Sequence, residues 1–155
     1  MIRMRRGQSL TNSQLYDQDN FYKSFISDIK RAKKQVIIES PFITNRRVNT
    51  LLPVLSKLSK RGVLILVNTK DPGEVDQSYR NQVEDAISRM QAANINVLYT
   101  GGHHRKLAVI DNNIIWEGSL NILSHNDSCE IMRRIESSAL TEELIAFIKL
   151  KRFIS

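Results

Sequence analysis

The chain of 155 residues carries 23 lysines and arginines against 16 aspartates and glutamates, a formal charge of +7. That length holds one domain with a sizeable core and not two, and the basic surplus favours a polyanion such as nucleic acid, or anionic headgroups. One cysteine, Cys129, excludes an intrachain disulfide and suggests no zinc cluster, and no apolar run reaches the roughly 18 residues of a membrane span.

The first residues, Met1 to Arg6, lack the apolar stretch and cleavage site of a secretory signal, so a cytoplasmic setting is the expectation. Residues 1–14 read as a flexible basic arm on a single domain spanning 1–155. A domain excised from a longer protein would look the same. Phe21, Phe25 and Ile29 repeat every four residues, with Tyr22 and Ile26 alongside, which predicts an amphipathic helix over about 18–33. Asp17 or Asp19 is placed to cap it. Val36 to Ile38 is a short buried strand ended by Ser40 and Pro41.

Val48, Leu51, Leu52, Leu55 and Leu58 form a second helical stripe closed by Gly62. Pro53 requires that helix either to start near Thr50 or to kink. Val63–Val67 is the clearest central strand, and Lys70 to Gly73 opens a loop of the kind that rims sites. A third helix is expected over about 78–93 from Val83, Ala86, Ile87 and Met90, followed by a strand at Ile95–Tyr99. Leu107–Ile110 and Ile114–Trp116 read as a hairpin about a turn at Asp111 to Asn113, with Trp116 in the core. Cys129–Ile135 is a late strand with a packed, inert thiol, and Leu140–Phe153 a final helix begun by Thr141. Alternating helices and strands argue an α/β fold, a mixed and mostly parallel sheet sandwiched between helices.

The chemistry gathers around that hairpin. His104 and Lys106 stand two apart, so an extended chain points them the same way. Gly118, Ser119 and Asn121 return beside them as the second strand ends. An imidazole, an ammonium, a hydroxyl and a carboxamide are thus expected at one spot, with no cysteine or carboxylate cluster to hold a metal. Such a set suits attack on a phosphodiester by a side-chain nucleophile.

His104, Lys106, Asp111, Gly118, Ser119 and Asn121 together resemble the motif of the phospholipase D superfamily, His-x-Lys, four residues, Asp, six residues, Gly-Ser-x-Asn. Six fixed letters arise by chance about once in 10^8 starting positions. The chain looks most like the small one-motif nucleases of that superfamily and the domains attached to helicases and restriction enzymes. The resemblance implies a covalent phosphohistidine on His104, with His104 of a second subunit as the acid, and hence a homodimer with its site on the two-fold axis. It implies that Lys106, Asn121 and Ser119 hold the phosphate oxygens and that Glu130 orients the imidazole. No cofactor or metal is implied, and DNA or RNA is the substrate, DNA favoured.

Arg105 alternates away from the active face but is placed to touch phosphate at the rim, beside Gly118. Asp111 reads as a turn residue and His103 as structural. His125 sits in a turn-like loop. Two alternatives stand beside the nuclease: a catalytically silent DNA-binding or dimerisation module of a larger restriction or helicase system, and a phospholipid hydrolase or transferase. Against the last stand the single motif and the missing membrane segment.

Overall fold

Apolar runs without alternation mark the strands at the centre of this molecule. The computed structural model describes residues 12–154, which form a seven-stranded sheet in the order β1-β7-β6-β5-β2-β3-β4. The strands are β1 (Ser13–Asp17), β2 (Gln35–Glu39), β3 (Leu64–Thr69), β4 (Asn96–Tyr99), β5 (Leu107–Ile110), β6 (Ile114–Gly118) and β7 (Ile131–Glu136). Every residue of β2 and β5 is buried, because helices cover both faces there. Val36 and Ile38 point to one face, against α1 (Phe21–Lys30), α2 (Asn45–Lys60) and α3 (Gln77–Ala92). Ile37, Leu107 and Val109 point to the other, against Ile145 and Ile148 of α4 (Ser138–Ile148).

The sheet is mixed and sandwiched between helices, but the expected parallel majority is corrected. Only β2–β3 and β3–β4 pair in parallel; β2–β5, β5–β6, β6–β7 and β7–β1 are antiparallel. Parallel neighbours need a crossover, and α2 and α3 supply the two that exist. No helix separates β4 from β5 or β6 from β7, so those strands enter reversed.

Several boundaries move for local reasons. The first helix begins at Phe21, because the Asp17 carboxylate is spent on the N–H groups of Asp19 and Asn20 in the preceding turn. The second begins at Asn45, not Thr50: Thr44 caps it by accepting from the Arg47 N–H. Pro53 therefore lies inside, on an exposed position where solvent can serve the Asn49 carbonyl that loses its donor. The last helix starts after Ser137, whose hydroxyl accepts from Leu140 N–H, and stops at Lys149 in a left-handed conformation (φ 59°). Cys129 precedes β7 and is exposed, so the packed thiol is also corrected. Arg3, Arg5 and Arg6 of the expected arm lie outside the described residues, while Ser13 and Gln14 belong to β1.

Trp116 is fully buried, with its ring edge-on to Phe21 at 5.1 Å. Its indole N–H donates to Asp28 Oδ2 at 2.8 Å, and Arg134 holds both oxygens of the same carboxylate, at 2.7 and 3.0 Å. This buried group is fully paired, and it locks α1 to β6 and β7. Among the described residues no helix is long and apolar enough to cross a membrane.

Candidate active site

The carboxyl ends of β2, β3 and β4 lie beside the start of β5 and the end of β6, since Glu39 pairs with Leu107 and Leu107 with Glu117. Open α/β sheets bind ligands at this end. His104, Arg105 and Lys106 run into β5 there, and Gly118, Ser119 and Asn121 leave β6.

Gly118 makes the close approach possible. Its N–H donates to the Lys106 carbonyl at 3.2 Å, and the next N–H, of Ser119, donates to the Ile131 carbonyl at 3.0 Å. A Cβ at Gly118 would overlap that Ile131 oxygen and press on Met132. Gly118→Ala must therefore push β6 and β7 apart, and we expect a loss of about 1–3 kcal/mol in urea unfolding. An unchanged midpoint would show that the strands part without cost.

Asp111 occupies the opposite end of β5. It adopts a left-handed conformation (φ 53°), and its carboxylate accepts the N–H groups of Lys33, Lys34 and Gln35, at 2.8 Å for Lys34. The motif carboxylate thus ties the hairpin turn to the start of β2, a strand's length from His104.

The residues flanking His104 are both drawn to Glu39, a wholly buried carboxylate closing β2. Arg105 donates through Nε and Nη2 at 2.7 and 2.9 Å, and the Asn68 amide donates at 2.6 Å. Thr100 Oγ1 in turn donates to Asn68 Oδ1 at 2.8 Å. His103 is buried with Nε2 3.9 Å from Glu39 Oε2, too far for a hydrogen bond. Burial pushes its imidazole below the ordinary value; Glu39 opposes this, and Arg105 and Lys106 reinforce it. With both neighbours anchored inward, His104 stands exposed, and Lys106 Nζ donates to its carbonyl at 2.8 Å. Two of the Arg105 donors are committed to Glu39, and Nη1 is not among them.

Within one chain the motif's polar groups do not share one pocket. His104, Lys106 and Gly118 line an open cleft of about 450 Å³ with Glu117 and Phe147. Ser119 and Glu130 line a second, which shares Glu117 and Gly118 with the first. Asn121 lines a third, its Oδ1 accepting from the Phe42 N–H at 3.3 Å. The chain is not extended beyond Gly118: Leu120, Ile122 and Leu123 turn into the core, and Ser124 N–H closes on the Asn121 carbonyl. Glu130 Oε1 accepts from Ser128 Oγ at 2.7 Å, and among the described residues it bonds neither His104, Arg133 nor Arg134. His125 Nδ1 lies 3.1 Å from Arg47 Nη2, away from the motif. No group of three or more His, Cys, Asp or Glu able to hold a metal occurs among the described residues.

The family model described as "Cardiolipin synthase, PLD-like domain" matches residues 25–150. The chain belongs to this phospholipase D-like family. A search of curated proteins gave no match. Among solved structures the chain is similar to Nuc, a phospholipase D family member from Salmonella typhimurium, with TM-score 0.72 and 16% identity over 92% of this chain and 94% of that one. It is similar to NucT from Helicobacter pylori, with TM-score 0.70 and 17% identity over 92% and 96% of the two chains. It also resembles TrmBL2, an archaeal chromatin protein described as showing a novel mode of DNA binding, with TM-score 0.59 and 8% identity over 89% of this chain and 51% of that one.

Two features of this phospholipase D-like domain escaped the sequence reading. Glu117, two residues beyond Ile115 and on its face of β6, lines both clefts around Gly118. The period-two pattern held a signal for it. The bonding of Asn68 to Glu39 held none, because 29 residues separate them.

Proposed function

We propose that this chain is a phosphodiesterase that cuts nucleic acid, DNA above RNA, without a divalent metal and at a site completed by a second copy. The observation that carries this reading is the exposed His104 imidazole beside the Lys106 ammonium, at the carboxyl end of the sheet, on a loop anchored from within by Glu39. The +7 charge supports a polyanionic substrate.

His104 attacks phosphorus, forming a P–N bond as the bond to the leaving oxygen breaks. The imidazole of the partner subunit's His104 gives that oxygen its proton. Water then attacks the phosphohistidine while the same partner imidazole takes its proton, and the P–N bond breaks. Lys106 of each subunit balances the non-bridging oxygens, with Asn121 and Ser119 adding hydrogen bonds. Arg105 contributes at the rim through its remaining donors. Glu130 is assigned to orienting the imidazole, which requires its carboxylate to leave Ser128.

Incubation of the purified chain with plasmid, oligonucleotides and anionic phospholipid vesicles in EDTA tests the reading. Cleavage of nucleic acid in chelator is expected. Cleavage that vanishes in EDTA and returns with magnesium overturns the metal-free mechanism, and turnover of lipid alone moves the chain to phospholipids. The likeness to TrmBL2 favours a second reading, a silent DNA-binding module, whose signature is retention of DNA without cleavage. A larger restriction or helicase protein would be the setting for that role.

A further inference from the structure

Apart from Asn121, the residues of the third cleft have no part in the mechanism above. It measures about 440 Å³, within the range of small-molecule sites, and is lined by Phe42, Tyr79, Gln82, Val83, Ser124 and Asn121. Phe42 and Tyr79 are 49% and 60% exposed although they flank a recess. Two large rings on the rim of one recess form an exposed apolar patch of the kind that marks a ligand groove.

Three observations indicate which. The Phe42 N–H bonds to Asn121 Oδ1 at 3.3 Å, so the aromatic shelf is continuous with a residue assigned to the phosphate. The Lys70 ammonium sits 5.4 Å from the Phe42 ring centroid, so a cation able to pair with a phosphate stands over one face of that ring. The segment carrying the cleft's other rim is built firmly. Arg80 Nε donates to the Pro72 carbonyl at 3.1 Å, and Glu74 Oε1 accepts from Gly102 N–H at 3.2 Å, tying it to the loop that bears His104. The Asp76 carboxylate at the rim caps α3 by accepting from Ser78 N–H and Oγ, at 3.0 and 2.9 Å. Gln82 Oε1 is taken by Asn45 N–H, which leaves its amide N–H₂ to donate.

An apolar, aromatic recess with a few polar edges, next to a phosphate site and under a cation, fits an unstacked nucleobase. We propose that this cleft receives the base adjoining the scissile phosphate, stacked on Phe42 and Tyr79, so that unpaired strands are cut in preference to duplex. A base inside a duplex is already stacked on its neighbours and cannot enter. This rests on the nuclease reading and adds the feature of the substrate that the site recognises.

The test compares kcat/KM on a single-stranded oligonucleotide, the same strand in duplex, and a strand carrying abasic tetrahydrofuran units. The unaltered protein is expected to favour the natural strand over the abasic one about tenfold or more. Phe42→Ala and Tyr79→Ala should each collapse that ratio toward one, and Phe42→Trp should keep it. Circular dichroism melting checks that the variants fold. A natural-to-abasic ratio near one in the unaltered protein, or a ratio untouched by both alanines, overturns the base subsite while leaving the nuclease standing. Failure to cut any nucleic acid removes the nuclease reading, and the subsite with it.

Discussion

His104→Ala is expected to reduce cleavage by about 10^4-fold or more, because it removes both the nucleophile and, in the other subunit, the acid. The exposed position and the backbone-only role of its neighbours' contacts predict little change in folding, which thermal melting would check. Mixing makes the prediction sharper. If each site needs two imidazoles, dimers re-formed from equal amounts of unaltered and His104→Ala chains retain about a quarter of full activity, since only the doubly intact pairs turn over. Independent sites would retain about half. A monomer that cleaves at the full rate would sink the shared site.

The helices were legible because each buries one stripe. Phe21, Phe25 and Ile29 keep the period of a helix against a sheet, and all three are fully buried. Their ends were less legible, because caps depend on competing local bonds: Asp17 prefers the turn before the helix, and Thr44 caps from a position the stripe does not mark. The parallel pairs β2–β3 and β3–β4 followed from alternating elements, and the antiparallel pair β5–β6 from its hairpin turn. The reversed entry of β5 beside β2 is harder to see, because its only local sign is that Tyr99 to Leu107 is too short for a helical crossover.

At the site, residue types and spacing made the motif visible and brought His104 and Lys106 beside Gly118. Alternation fails beyond Gly118, because the chain does not stay extended there and the core draws in Leu120, Ile122 and Leu123. The partners of Arg105 were hidden for a different reason. Its bond to Glu39 spans 66 residues and leaves no local period. An arginine beside a phosphate motif suggests a phosphate ligand, whereas here most of its reach goes to a carboxylate.

We assign that carboxylate, Glu39, a positioning role. Wholly buried, it holds Arg105 on one side of His104 by two hydrogen bonds and lies 3.9 Å from the His103 ring on the other. We expect Glu39→Gln to lower kcat about tenfold or more with KM nearly unchanged, because a misplaced nucleophile loses rate before affinity. Glu39→Ala should also unfold more easily, by about 3 kcal/mol, the low end for breaking a buried pair. The low end applies because the Arg105 side chain is 45% exposed and can turn to water, whereas Asn68 cannot. His103 supplies a readout that a purely structural role would leave still. Its imidazole is held below its ordinary value, so stability is complete above about pH 6.5 and declines as pH falls from there toward the folded value, where the unfolded chain binds the proton first. Glu39 opposes that depression, so its loss lowers the folded value further and carries the decline to lower pH. Melting temperature measured from pH 7.5 to 5, with the His103 ring followed by NMR, reports the shift. An NMR titration of His103 identical in Glu39→Gln and the unaltered protein would mean that Glu39 does not govern this loop.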